Sequence, residues 1–164
     1  MQLMQQKIPA QTQERTQETM HFDISQKFFF DAAHTLKREI EADSSRRIHG
    51  HTYNAEVTLS GPSNPQTGMV VDLGMVRLAI EQLRPKLDHC MLDDVVGLGI
   101  ATLENVCAYI WRELAPSLPQ LSGVRVWRES VGDSCTLRSV PHVVPHVLPN
   151  VGIDAPIVLT HFVT

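Results

Sequence analysis

The stretch FFFDAAHTLKREIEADSSRRIHGHTY, residues 28–53, decides how the rest of the chain is read. It holds three of the eight histidines, His34, His49 and His51. His49 and His51 are two apart, so on a β-strand their side chains leave the same face. Upstream, Phe22, Ile24, Phe28, Phe30 and Ala32 share one parity, which predicts a long strand with an apolar face that His34 ends. Downstream, Tyr53, Ala55, Val57 and Leu59 share the parity of His49 and His51. That predicts a second strand over residues 51–59, broken by the Gly61-Pro62-Ser63-Asn64-Pro65 cluster. Residues 36–47 between them read as a charged loop without an apolar period. If the strands pair, all three histidines lie toward one end of one sheet face. Three imidazoles with an open fourth position form the ligand set of a catalytic zinc. The same spacing also suits an ordinary histidine pair on a half-buried strand.

Further along, Asp72 is a candidate N-cap for a helix whose stripe is Leu73, Val76, Ile80, Leu83 and Leu87, ending near Pro85. Residues 88–94, DHCMLDD, are polar and predict a loop. Thr102 caps a second helix, with Glu104 in its first turn where the charge suits the helix dipole. Leu103, Val106, Cys107, Ile110 and Leu114 form its stripe, and Pro116 stops it. Two short strands, residues 124–129 and 134–138, close the pattern around a tight turn at Val131-Gly132-Asp133. The order β-β-α-α-β-β predicts an α+β domain, two helices on one face of a four-stranded antiparallel sheet.

The 164 residues and 18.3 kDa amount to one domain with room for a core. A net charge of −4 shows no basic excess and argues against nucleic acid as a partner. Cys90, Cys107 and Cys135 lack a C-x-x-C spacing, which predicts reduced thiols in a cytoplasm. No apolar run predicts a membrane span, and no apolar segment behind a basic start predicts a secretory signal. Residues 1–20, rich in Gln and Thr, predict a disordered leader. Residues 139–164 carry Pro141, Pro145 and Pro149 at four-residue spacing and predict an extended tail. His142 and His146 have the H-x₃-H spacing of a metal pair, but it aligns ligands on a helix that these prolines forbid.

With the elements placed, FDAAH, HGHTYN, GMVVDLGMV, LDHCMLDD, ATLENVCAYIW and VWRES resemble, in order, the 6-pyruvoyltetrahydropterin synthase superfamily. Its short bacterial members, the 6-carboxytetrahydropterin synthases, are nearest in length and loop size. The likeness covers residues 22–138, so the domain is set at 21–138. What the resemblance implies is a T-fold whose sheets join edge to edge into an oligomeric barrel, most simply a homohexamer. It implies zinc on His34, His49 and His51, and a proton-transfer pair in Asp88 and His89. It also implies a pterin anchored by Glu129, with Thr102 and Glu104 around the same pocket. Each role suits its residue type. A pterin presents N3–H and the 2-amino group as parallel donors that one carboxylate accepts. Asp88 beside His89 would fix the imidazole tautomer and raise its basicity.

The sequence departs from the family at one position. The family's cysteine precedes the HGH motif by four residues in bacterial members, or by six where the loop is longer; Ser45 and Asp43 stand there. A serine hydroxyl is a far poorer base than a thiolate. Relatives with a glutamate there make a different pterin product, so Glu39, Glu41 and Asp43 are candidate substitute bases. Two functions follow from the resemblance. One is a zinc-dependent lyase of 7,8-dihydroneopterin triphosphate or a close analogue, in queuosine, deazapurine or tetrahydropterin biosynthesis. The other is a non-catalytic relative that binds zinc and pterin.

Overall fold

Two thirteen-residue strands, β1 (Phe22–His34) and β2 (His49–Gly61), pair antiparallel along their whole length. Their alternation is what the parity of the sequence demands: Phe30, Ala32 and His34 point inward beside Tyr53, Ala55, Val57 and Leu59, all buried. The register sets His34 opposite His49 and Ala32 opposite His51. A computed structural model describes residues 20–40 and 42–139. The expected leader up to residue 19, Glu41 and the expected tail from residue 140, including His142 and His146, lie outside the described residues.

The connection from β1 to β2 is not all loop. Its second half forms a one-turn helix, α1 (Ala42–Arg46), and Leu36 N–H donates to the carbonyl of Ser45 at 2.8 Å. Both predicted helices form, α2 (Leu73–Leu83) and α3 (Leu103–Leu114). Asp72 accepts from Gly74 N–H at 2.7 Å and Thr102 accepts from Asn105 N–H at 3.3 Å, so each cap does what its residue type predicts. Val76, Ile80 and Leu83 of α2 meet Val106, Cys107, Ile110 and Leu114 of α3 in one core over the sheet. Fully burying each of the larger side chains contributes roughly 1.5–3 kcal/mol.

β4 (Leu121–Arg128) and β5 (Asp133–Arg138) complete the antiparallel part. With a short strand at residues Cys90–Met91, β3, the sheet has five strands rather than four, in the order β3-β1-β2-β4-β5. The addition falls in a segment whose polarity predicts a loop, and it lies parallel to β1. Backbone pairing captures it there: His89 N–H donates to the Asp31 carbonyl at 2.6 Å. A one-turn 3₁₀ helix, Leu92–Asp94, follows. Both helices cover one sheet face. On the other, Lys27, Phe29 and Arg125 stand exposed. Among the described residues no helix is long and apolar enough to cross a membrane.

Candidate metal centre and adjoining cleft

Where β1 ends and β2 begins, the cross-strand register packs three imidazoles together. Ring centroids lie 4.4 Å apart for His34 and His49, 5.0 Å for His49 and His51, and 5.3 Å for His34 and His51. One nitrogen from each ring falls within 4.8 Å of the others. The chain fixes which nitrogen. His34 Nδ1 sits 3.0 Å from the carbonyl of Ala101, and His49 Nδ1 sits 2.8 Å from the carbonyl of Arg47. A carbonyl only accepts, so each Nδ1 carries the hydrogen and each Nε2 keeps its lone pair. Ala101 immediately precedes the Thr102 cap, so the start of α3 orients His34. Thr35, the next residue, is tied to Asp93 by its N–H at 2.8 Å and its hydroxyl at 2.7 Å.

Nε2 of His34 and Nε2 of His51 are buried and have no hydrogen-bond partner. Burial holds the His34 ring below the usual histidine pKa. His51 is pushed down to about 4, first by burial and then by the positive charge of Arg128. Both rings are therefore neutral at pH 7, the form in which imidazole binds a metal. Orphaned buried nitrogens, tautomers set by carbonyls and a three-nitrogen donor set together fit a zinc-type cation with a position left open.

Beside the histidines lies a cleft of about 280 Å³, lined by Ser45, His49, His51, Arg128 and Asp133 among others. The helical turn of α1 brings Ser45 there and leaves it only 7% exposed. Glu39 and Asp43 are exposed and do not line this cleft. Thr102 and Glu104 line a neighbouring recess that also reaches Arg128 and Asp133. Glu129 is not on a strand: it stands one residue past β4, exposed, where its carboxylate accepts from Trp127 Nε1 at 2.6 Å. The strand's pairing with β5 ends at Arg128 opposite Asp133, which leaves Glu129 to the turn.

Asp88 and His89 lie elsewhere: His89 lines an open groove together with Asp31, His51, Thr52 and Cys90, and Asp88 stands behind it in contact with His89. This groove and the cleft share a single lining residue, His51. Asp88 Oδ1 accepts from Asp31 N–H at 3.0 Å and lies 3.2 Å from His89 Nδ1, while its Oδ2 pairs with Arg84 at 3.1 Å. The Asp31 N–H, and then the Arg84 charge, hold this carboxyl below its ordinary range, although partial burial opposes them. His89 takes a left-handed backbone, φ 59°, uncommon for a residue with a Cβ. The backbone of Asp31 thus grips both members of the pair.

Sequence reasoning missed Arg128, Asp133, Asp31 and Arg84. For Arg128 a signal existed, because it continues the parity of the buried Val124 and Val126. Arg84 and Asp133 meet partners only four and five residues away, Asp88 and Arg128, whereas Asp31 acts across 57 residues, a contact that no local pattern records.

Fold and centre together define an α+β protein with three histidines converging at one end of a sheet. Residues 23–139 match the family model of 6-pyruvoyl tetrahydropterin synthase, and the chain belongs to that family. It is 34% identical over 110 residues to the 6-pyruvoyl tetrahydrobiopterin synthase of Pongo abelii, covering 58% of this chain and 76% of that protein. It is 32% identical over 109 residues to the 6-carboxy-5,6,7,8-tetrahydropterin synthase of Synechocystis, covering 63% and 83%. The structure of Caenorhabditis elegans 6-pyruvoyl tetrahydropterin synthase superposes with a TM-score of 0.64 at 25% identity, over 74% of this chain and 98% of that one. The T-fold expectation therefore holds for the single subunit.

Proposed function

We propose that the protein is a zinc-dependent pterin lyase acting on 7,8-dihydroneopterin triphosphate or a close analogue. The observation that carries the reading is the set of three convergent imidazoles, two with Nδ1 committed to carbonyls and two with buried, partnerless Nε2. His34, His49 and His51 would hold the zinc. When bound, the ion supplies Lewis acidity toward the hydroxyls of the substrate's side chain. Glu129 accepts the paired donors of the pterin ring, and its place on an exposed turn leaves the carboxylate accessible. Asp88 orients His89 for proton transfer, and Thr102 and Glu104 border the ring pocket.

Within one chain the groove at His89 and the Ser45 cleft share only His51 among their lining residues. We read this as the mark of a homo-oligomer, a hexameric barrel, in which neighbouring subunits complete one site. The exposed sheet face and the open edge at β5 suit such a barrel. The product belongs to tetrahydropterin or queuosine-type deazapurine biosynthesis in the cytoplasm.

A specific observation favours a second reading, a zinc- and pterin-binding relative without turnover. The residue inside the cleft is Ser45, and Glu39 and Asp43 lie outside its lining. Incubating the zinc-loaded protein with 7,8-dihydroneopterin triphosphate and identifying products by mass spectrometry separates the two. A new pterin product establishes the lyase; bound, unchanged substrate establishes the binder.

A further inference from the structure

We propose that Arg128 is an anion subsite of the cleft, recognising the phosphate groups at the end of the substrate's side chain; this inference rests on the pterin reading above. A guanidinium occupies a position where the strand expects a hydrophobe. Arg128 follows Val124 and Val126 on the buried parity of β4 and is 5% exposed. Burying a charge is unfavourable unless its donors are satisfied. Nη2 pairs with Asp133, and the guanidinium lies over the Tyr53 ring, 5.9 Å from its centroid. Nε is buried and has no hydrogen-bond partner. The Asp133 side chain is 44% exposed, so water competes for the carboxylate.

The position of this cation matches the chemistry. Arg128 and Asp133 line the same cleft as His49, His51 and Ser45, and they also line the recess of Thr102 and Glu104. Arg128 therefore borders both the centre that would hold the side-chain hydroxyls and the recess beside it. A phosphoester continuing from those hydroxyls meets it within a few bonds. Planar, forked guanidinium donors suit phosphate oxygens better than an ammonium does. The Glu104 and Asp133 carboxylates repel an anion, so the cations that face it are the buried Arg128 and the exposed Arg38, which lines both cavities as well.

The test uses zinc-loaded protein and two fluorescent, non-reactive probes, neopterin and neopterin triphosphate, titrated at low salt. Wild type is expected to prefer the triphosphate at least tenfold. Arg128→Gln removes most of that preference while leaving neopterin affinity and zinc content unchanged, and Arg128→Lys restores part of it. Asp133→Asn, which frees the guanidinium, strengthens triphosphate binding. Arg77→Gln removes an equal charge from the exposed face of α2 and leaves the preference intact. Asp133 can hydrate when Arg128 is lost, so Arg128→Gln strands no buried charge; if that variant still fails to fold, Arg128→Lys and Asp133→Asn decide. Neopterin binding with no preference for the triphosphate overturns this inference alone, as does an unchanged preference in Arg128→Gln. Binding of neither probe by wild type overturns the pterin reading and this inference together.

Discussion

Replacing Ser45 by cysteine puts into the cleft the thiol that the family resemblance implies for this position. Ser45 is 7% exposed, and it shares a cleft of about 280 Å³ with His49, His51 and Arg128. The added bulk is one larger atom, and the 2.8 Å bond from Leu36 N–H uses the backbone of residue 45, which the substitution keeps. The fold should therefore tolerate it. The cationic Arg128 in the same cleft favours a thiolate over a thiol. A positioned general base contributes roughly a hundred- to ten-thousand-fold, or roughly 2.7–5.4 kcal/mol of barrier. We expect wild type to turn over dihydroneopterin triphosphate slowly and Ser45→Cys to raise kcat by a large part of that factor. Zinc content and pterin affinity should not change. The assay is product formation followed by mass spectrometry on metal-quantified protein, with Glu39→Gln, Glu41→Gln and Asp43→Asn in parallel. If wild type is fast, Ser45→Cys gains nothing and one carboxylate change abolishes turnover, the reasoning fails and a carboxylate is the base.

Three further outcomes are expected. His34→Ala, His49→Ala and His51→Ala should each lose most bound zinc by elemental analysis, and full occupancy in any of them would refute the three-histidine centre. Light scattering at micromolar concentration should give a mass several times 18.3 kDa; a strict monomer would refute the barrel and the composite site. Burial pushes the Cys107 thiol up to about 12, so it should resist iodoacetamide at pH 8 in the native protein and alkylate only in denaturant, as peptide mapping would show.

What the sequence determined by itself was local and periodic. Period-two alternation placed His34, His49 and His51 on the core face, because successive strand side chains must leave opposite faces. The 3.6-residue stripes set both helices, and Asp72 and Thr102 capped them, because those oxygens satisfy N–H groups that a helix start leaves open. Tertiary structure decided the rest. The register that sets His34 opposite His49 depends on thirteen paired residues across a connection with no pattern of its own. Asp88–His89 docks through the Asp31 backbone, 57 residues away for the Asp88 bond, and so adds a fifth strand where polarity predicts a loop. Ser45 enters the cleft because a single helical turn forms within a charged run, and Glu129 leaves its strand because pairing stops at Arg128. The first two of these rest on residues far apart in sequence, and the last two on short segments without a period, so no local periodicity encodes them.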